Sequence, residues 1–253
     1  MKTAVCIKQV VTREWPLRVN DGKTWIRDAD ATFELNEPDA YALEEALRLK
    51  EKHGGEVVVC SAGPARAAQV LREALARGAD RAVHVESDAL ATADAAAVAE
   101  ALAAALRDEK VDLVLTGLQS DDQGLGQTGV ILAEKLGMPH ATIIMEVQAS
   151  ESGLRVKREL EGGWFQWIAL PLPALLTIQS GINQLRYATL KGIMAAKKKE
   201  IRKVTPAAPA EPPQRIAALY VPEKGKKTQI ISGSPADAAR ELIVRLRDEA
   251  RVL

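Results

Sequence analysis

Two hydrophobic periods alternate through the first two thirds of this chain, and that alternation constrains its fold more than any other feature. Compact runs rich in β-branched residues, at 3–10, 56–61, 81–85 and 111–116, are too short for helices and read as strands buried on both faces. Between them lie amphipathic stretches of helical length. In residues 38–53, Ala42, Leu43, Ala46, Leu47 and Lys50 follow helical spacing, Glu44, Glu45 and Arg48 fall on the solvent side, and Gly54-Gly55 supplies the stop. Residues 64–76 repeat the plan between Gly63-Pro64 and Gly78, and residues 91–106 repeat it again. Strands separated by such helices are βαβ units, so the predicted fold is α/β: a doubly wound, mostly parallel, Rossmann-like sheet with helices on both faces.

Two interruptions modify that plan. Between Arg13 and Phe33 the pattern breaks around Asn20-Asp21-Gly22, a turn signal that predicts a hairpin inserted after the first strand. After Gly137-Met138-Pro139, residues 141–147, 154–160 and 164–170 are short strand candidates separated by Ser152-Gly153 and Gly162-Gly163. They predict a small antiparallel addition, with residues 174–178 as one more strand. The last third differs in kind. Lys197-Lys198-Lys199, Arg202-Lys203 and the proline-rich run 205–213 cannot build a core and read as an extended arm. The arm ends in an amphipathic helix over 235–252, with entry and cap chemistry at 232–234, which docks either on its own domain or on a partner chain.

Composition narrows the function classes. The 34 basic and 34 acidic side chains cancel, which argues against a dedicated nucleic-acid binder. No apolar run approaches a membrane span, and residues 1–8 are too interrupted for a signal peptide, so a cytoplasmic protein without membrane insertion is expected. The two cysteines, Cys6 and Cys60, lie in strand-like runs without metal-ligand spacing and read as buried free thiols.

The strongest binding signal follows the 111–116 strand: Gly117-Leu118-Gln119-Ser120-Asp121-Asp122-Gln123-Gly124-Leu125-Gly126-Gln127-Thr128-Gly129, after which the chain becomes helical. In an open α/β sheet, ligands bind beyond the carboxyl ends of strands. Glycines let the backbone approach a ligand, and free N–H groups at the next helix start favour an anion. The spacing matches neither the Rossmann fingerprint nor a P-loop. Asn36-Glu37-Pro38-Asp39 and Ser61-Ala62-Gly63-Pro64 lie at element edges and form either further pocket walls or simply a helix cap and a turn.

No catalytic or metal-ligating set is expected. His53, His84 and His140 lack triad or zinc companions, Ser180 and Ser232 lie in no nucleophile elbow, and Glu44/Glu45 reads as a solvated pair. The residues by themselves describe a nucleotide-binding α/β domain without an evident catalyst.

A resemblance sharpens this reading. Arg158-Glu159-Leu160-Glu161-Gly162-Gly163, then 172–177, then Asn183-Gln184-Leu185-Arg186-Tyr187-Ala188-Thr189-Leu190 and the lysine-rich finish at 193–201 resemble the β subunit of the electron transfer flavoproteins. Residues 5–10, 42–50 and the 117–129 loop add to the likeness. The resemblance implies an αβ heterodimer in which FAD lies mostly in the α subunit while the β subunit binds AMP. Carried over, the AMP contacts fall on Cys6, Asn36, Glu37, Pro38, Asp39, Ala62 and Gly117 through Thr128. The partner-docking segment falls on Arg186 to Ala195, with Leu190 as apolar anchor and Tyr187, Ile193 and Met194 beside it. In the family the flavin domain swivels while the dehydrogenase holds that anchor.

Departures from the family pattern are local. Leu185 stands where proline is usual, Ala62 where some relatives have cysteine, and Glu37 where proline follows the asparagine. Arg13 occupies the region of an aromatic near the flavin, and its cation, if close, would favour the anionic reduced form. The implied function is an electron-carrier subunit, not an enzyme, passing electrons from acyl-CoA and other dehydrogenases, as in fatty acid β-oxidation, to a quinone oxidoreductase. Two alternatives stand beside it: a bifurcating-type subunit with a second FAD in the AMP site and NADH as donor, and a standalone nucleotide sensor of universal-stress type. The expected division is an α/β domain over 1–200, including the docking segment 183–200, and an arm over 201–253 that packs on the α subunit.

Overall fold

The computed structural model describes residues 1–150, 153–207, 213–222, 225 and 228–253. The chain divides into Met1–Leu219 and Tyr220–Leu253. In the first unit the elements run β1 (Lys2–Cys6), β2 (Gln9–Val11), β3 (Phe33–Leu35), α1 (Glu37–His53), β4 (Glu56–Gly63), α2 (Ala68–Arg77), β5 (Arg81–Glu86), α3 (Ala95–Arg107), β6 (Leu113–Gly117) and α4 (Thr128–Leu136). There follow β7 (His140–Ser150), β8 (Gly153–Glu159), β9 (Phe165–Leu170), β10 (Ala174–Ile178), α5 (Leu190–Ala196) and β11 (Ile201–Val204).

Nine strands form one sheet in the order β11-β5-β4-β1-β6-β10-β7-β8-β9, parallel from β11 to β7 and antiparallel across β7, β8 and β9. The predicted doubly wound sheet with its antiparallel addition is therefore present. Its two faces follow the period-two pattern of the strands. Val5, Val57, Val59, Leu113 and Leu176 pack with Leu43 and Leu47 of α1 and Leu71 of α2. Ala4, Val58, Cys60, Val83, Val114 and Leu175 pack with Leu102 and Leu106 of α3 and Leu132 of α4. Each fully buried leucine of this kind contributes about 1.5–3 kcal/mol.

The differences from the sequence reading have local causes. The run 3–10 is broken after Cys6, because β2 leaves the main sheet and pairs antiparallel with β3. Residues 12–32 are the hairpin insertion, closed by a bridge between Val19 and Ile26 and by Asn20 Oδ1 accepting the Thr24 N–H at 3.0 Å. Glu44 and Glu45 are not solvated: their relative exposures are 5% and 7%. Arg186 pairs with Glu44 at 2.8 Å, and Asn183 Nδ2 donates to Glu45 at 3.0 Å, so the 183–186 segment covers that side of α1. Burial, countered by the Asn183 hydrogen bond, leaves the Glu45 carboxyl raised.

The strand β11 falls within the stretch assigned to the arm. It escapes periodicity because only Ile201 and Val204 are apolar in a basic run, yet it pairs in register with β5 as the sheet edge. The first unit runs on to Leu219, with Gln214 N–H donating to Asp94 Oδ2 at 3.1 Å and Leu219 N–H to Lys23 O at 2.6 Å. Part of the expected proline-rich arm, residues 208–212, and Ser152 of the expected turn lie outside the described residues. In the second unit, α6 (Pro235–Asp248) is entered through Ser234, whose Oγ accepts the Asp237 N–H, and its Leu242, Ile243 and Val244 are exposed.

The edge strand is held by charge at its foot. Glu109, 7% exposed, receives Arg202 at 2.8 Å, Arg81 at 3.1 Å and Lys2 at 3.1 Å, joining β11, β5 and β1. Chiefly the Arg81 hydrogen bond holds the Glu109 carboxyl down to about 2. A depressed acid contributes stability above its unfolded value and loses it as pH falls through the folded one. Glu109→Gln is expected to lower unfolding stability by about 1–3 kcal/mol at pH 7, the partners being half-exposed. The deficit should shrink between pH 4.5 and about 2, as urea unfolding across that range would record.

Candidate functional site

At the carboxyl ends of β1, β4 and β6 the sheet opens into a cavity, the position where open α/β sheets bind ligands. The backbone there lacks strand partners, and one side chain supplies them. Asp39, in the first turn of α1, accepts the Lys8 N–H through Oδ2 at 2.8 Å and the Gly117 N–H through Oδ1 at 2.8 Å. The contact is so close that a Cβ on Gly117 would lie 2.6 Å from Asp39 Oδ1 and 2.7 Å from Pro38. Burial, opposed by these hydrogen bonds, pushes the Asp39 carboxyl up to about 6.

Asn36 occupies the N-cap position of α1, but its side chain makes no capping bond. Its Nδ2 donates to Gln119 O at 3.1 Å and its Oδ1 accepts the Asp121 N–H at 2.9 Å, so it reads the loop after β6 instead. Lys8 reaches the same loop, with Nζ 2.7 Å from Asp122, 3.1 Å from Gln123 Oε1 and 3.3 Å from Ser120 Oγ. Its cation holds the Asp122 carboxyl below its usual range despite burial. Arg13 pairs with Glu37 and lies 3.4 Å from Asp121, which neutralises much of the charge it could present to a flavin.

The cavity brings together most of the predicted residues: Cys6, Asn36, Asp39, Ala62, Gly117, Leu118, Gln119, Ser120, Gln123, Leu125, Gly126, Gln127 and Thr128 line it. Glu37, Pro38, Asp121, Asp122 and Gly124 do not. Sequence reasoning missed Lys8 and an apolar wall of Leu90, Ala91, Ala93, Val98 and Leu102. The signal for that wall is the capping position of Asp94, whose Oδ1 accepts the Ala97 N–H at 2.8 Å and which starts α3 four residues later than periodicity alone suggested.

The lining divides by chemistry. Gln127 provides no side-chain cap to α4, so the first-turn N–H groups of that helix face the cavity side free of a side-chain acceptor. Gly129, in that turn, is packed so tightly that a Cβ would lie 2.7 Å from Thr116 Oγ1 and Thr177. An apolar wall for a flat ring thus stands near a helix N-terminus suited to an anion, and Lys8 is the one lysine or arginine in the lining among the described residues. Cys6 and Cys60, register partners on β1 and β4, are free and buried, and burial raises both thiols, Cys60 to about 12.

The predicted docking residues separate into two groups. Arg186 is spent within the chain, pairing with Glu44 at 2.8 and 2.9 Å and with Glu51 at 2.5 Å. Tyr187, Leu190, Met194 and Ile193 are all exposed, at 90%, 83%, 62% and 43%. Thr189 Oγ1 caps α5 by accepting the Gly192 N–H at 3.0 Å, and Arg72 donates to the carbonyls of Ala196 and Lys199 at 2.6 and 2.7 Å.

A sequence model described as the electron transfer flavoprotein domain matches residues 24–209. The chain is 38% identical over 256 residues to the electron transfer flavoprotein subunit beta of Methylophilus methylotrophus, covering 96% of this chain and 97% of the relative. It is 35% identical to that of Bacillus subtilis (strain 168), over the whole of both chains, and 34% identical to that of Homo sapiens, over 100% of this chain and 99% of the relative.

Asp39 makes the site's own pH signature. An acid raised on folding contributes stability that is complete below its unfolded value, here 3.8, and is lost as pH rises through the folded value of about 6. Asp39→Asn is expected to remove this slope, and to place an amide N–H₂ against one of two backbone donors at a cost of about 1–3 kcal/mol. Urea unfolding of both proteins from pH 4 to 7 would check this, and parallel profiles would refute it.

Proposed function

The chain belongs to the electron transfer flavoprotein family, as a β subunit, and on that footing we propose that it is the nucleotide-binding half of an αβ electron carrier. In this reading AMP occupies the cavity at the ends of β1, β4 and β6. The observation that carries it is the pairing of an apolar wall, Leu90 to Leu102, with the uncapped N-terminus of α4. Adenine stacks on the wall and the phosphate takes the helix N–H groups, a fit that needs no large cationic cluster. Asp39 and Asn36 hold the loop that surrounds it.

FAD is held mostly by the α subunit, and when bound supplies the electron-carrying chemistry. This chain closes one side of that site and delivers the complex to its donors. Electrons come from acyl-CoA and other dehydrogenases and pass to a quinone oxidoreductase, in the cytoplasm. No helix among the described residues is long and apolar enough to cross a membrane. The unit Tyr220–Leu253 supports contact with the α subunit, because a unit below about 40 residues rarely folds without a partner and α6 has no buried residue.

Docking falls to the exposed row Tyr187, Leu190, Ile193 and Met194. Exposed large apolar side chains on a short, capped helix are the features of an anchor that enters a partner's pocket. Leu190→Ala is expected to raise the dehydrogenase KM by about tenfold or more, with AMP and FAD content unchanged. Steady-state titration of a dehydrogenase against the purified heterodimer would measure it, and an unaltered KM would exclude Leu190 as the anchor.

A second FAD in place of AMP, with NADH as donor, is the reading that shares this fold. The family match leaves the standalone stress-type sensor without support. Co-expression with the α subunit, denaturation and chromatography of released small molecules decide between the first two. One AMP and one FAD per heterodimer is the expected outcome, whereas two FAD and no AMP would establish the bifurcating type.

A further inference from the structure

The loop after β6 is fastened along one edge by groups from a distant part of the chain, mostly side chains, with the Glu37 N–H donating to Asp121 Oδ2 at 3.3 Å. The turn 119–123 is gripped by Asn36 at Gln119 O and Asp121 N–H, at 3.1 and 2.9 Å. Lys8 grips it at Ser120, Asp122 and Gln123, at 3.3, 2.7 and 3.1 Å. Arg13 adds a longer contact to Asp121 at 3.4 Å. Every one of these partners lies upstream of α1's second residue. On its other side the turn continues through Gly124 and Gly126, with φ of +62° and +63°, a region open to glycine at little cost. A turn with glycine pivots on one side and a side-chain seam on the other can move wherever the seam parts.

The members of that seam are unequal. Asn36 is 1% exposed and joined to backbone, so it belongs to the fixed frame. Arg13 is 62% exposed, and its link to Asp121 is correspondingly screened. Lys8 lies between these cases, with 39% of its side chain exposed against 28% for Asp122, and of the three it is the cation that lines the cavity. It also concentrates three contacts on one turn.

We propose that turn 119–123 is a flap over the nucleotide cavity and that the Lys8–Asp122 ion pair is the latch that sets how fast bound nucleotide leaves. This rests on the cavity being the AMP site. Parting the pair exposes both charges to water and frees Ser120, Asp122 and Gln123 together, so that edge of the turn swings out while Asn36 keeps hold of Gln119 and Asp121. Lys8 acts through the turn and is a positioning residue.

The test uses the purified heterodimer with AMP as probe, release being followed after dilution into excess unlabelled AMP. Lys8→Met and Asp122→Asn are each expected to speed release by about three- to tenfold, the range for a partly screened charged hydrogen bond. The double variant should be no faster than Lys8→Met alone, because that substitution already removes the ion pair together with the Ser120 and Gln123 contacts. Added salt should speed release from the unmodified protein and leave the double variant unchanged. Circular dichroism checks each variant, and if Lys8→Met does not fold, Asp122→Asn and the salt series carry the test. Release unchanged in the folded variants, or single effects that add in the double, overturns the latch while leaving the site intact. An unmodified heterodimer that takes up no AMP overturns the reading of the cavity itself, and the latch with it.

Discussion

The carboxylate of Asp39 is the interaction on which the rest of this architecture turns. Where parallel strands end, their last N–H groups point into loops with no neighbouring strand to accept them, and leaving two of them buried and unpaired would cost several kcal/mol in all. Asp39 takes one from each side, Lys8 after β1 and Gly117 at the end of β6. The proximity this demands excludes any side chain at position 117. It also brings the start of α1 against the loop after β6, where Asn36 can then grip Gln119 and Asp121. The cavity therefore owes its walls to a buried charge whose desolvation is partly offset by backbone donors, with the Lys8 ammonium adding attraction from nearby.

The exposed apolar row at 187–194 depends on a different balance. Apolar side chains left in water contribute nothing to folding, so the backbone beneath them has to be fixed by other means. Arg186 on Glu44 and Glu51 fastens one end. Arg72 on the carbonyls of Ala196 and Lys199 fastens the other, and Lys199 Nζ donates back to Leu75 O on α2 and to Ala79 O just after it. Burial lowers the Lys199 ammonium, the sign of a cation drawn in for structural work. Polar contacts thus hold the frame while Leu190 and Tyr187 stay uncovered, which lets a surface be both apolar and ordered.

How legible this was in the sequence follows from which interactions leave a periodic trace. The sheet and its helices did, because Val57, Val58 and Val59 or Leu43 and Leu47 are buried by the period of their own element. So did the loop 117–129, whose glycines mark close backbone approach. Glu44 and Glu45 did not, since their burial depends on Arg186 and Asn183, more than 130 residues away in the chain. The strand β11 was hidden for the same reason: Arg202 and Lys203 read as solvated until Glu109 and Glu86 are brought beside them. Lys8 read simply as part of the 3–10 strand run, because its partners, Ser120 to Gln123, come from beyond two further βα units.

Helix α1 joins the two regions. Its first turn carries Asp39 at the cavity, and its later turns carry Glu44, Glu45 and Glu51 beneath the 183–186 segment. Between Asp39 and Glu51 a helix rises about 18 Å. A rod of this kind with a single set of partners at each end fixes a distance; relaying a signal would require an element with two arrangements. What passes along α1 is therefore stability. Ordering of the cavity secures the first turn of α1, the secured helix presents Glu44 and Glu51 to Arg186, and the apolar row is held in its exposed place.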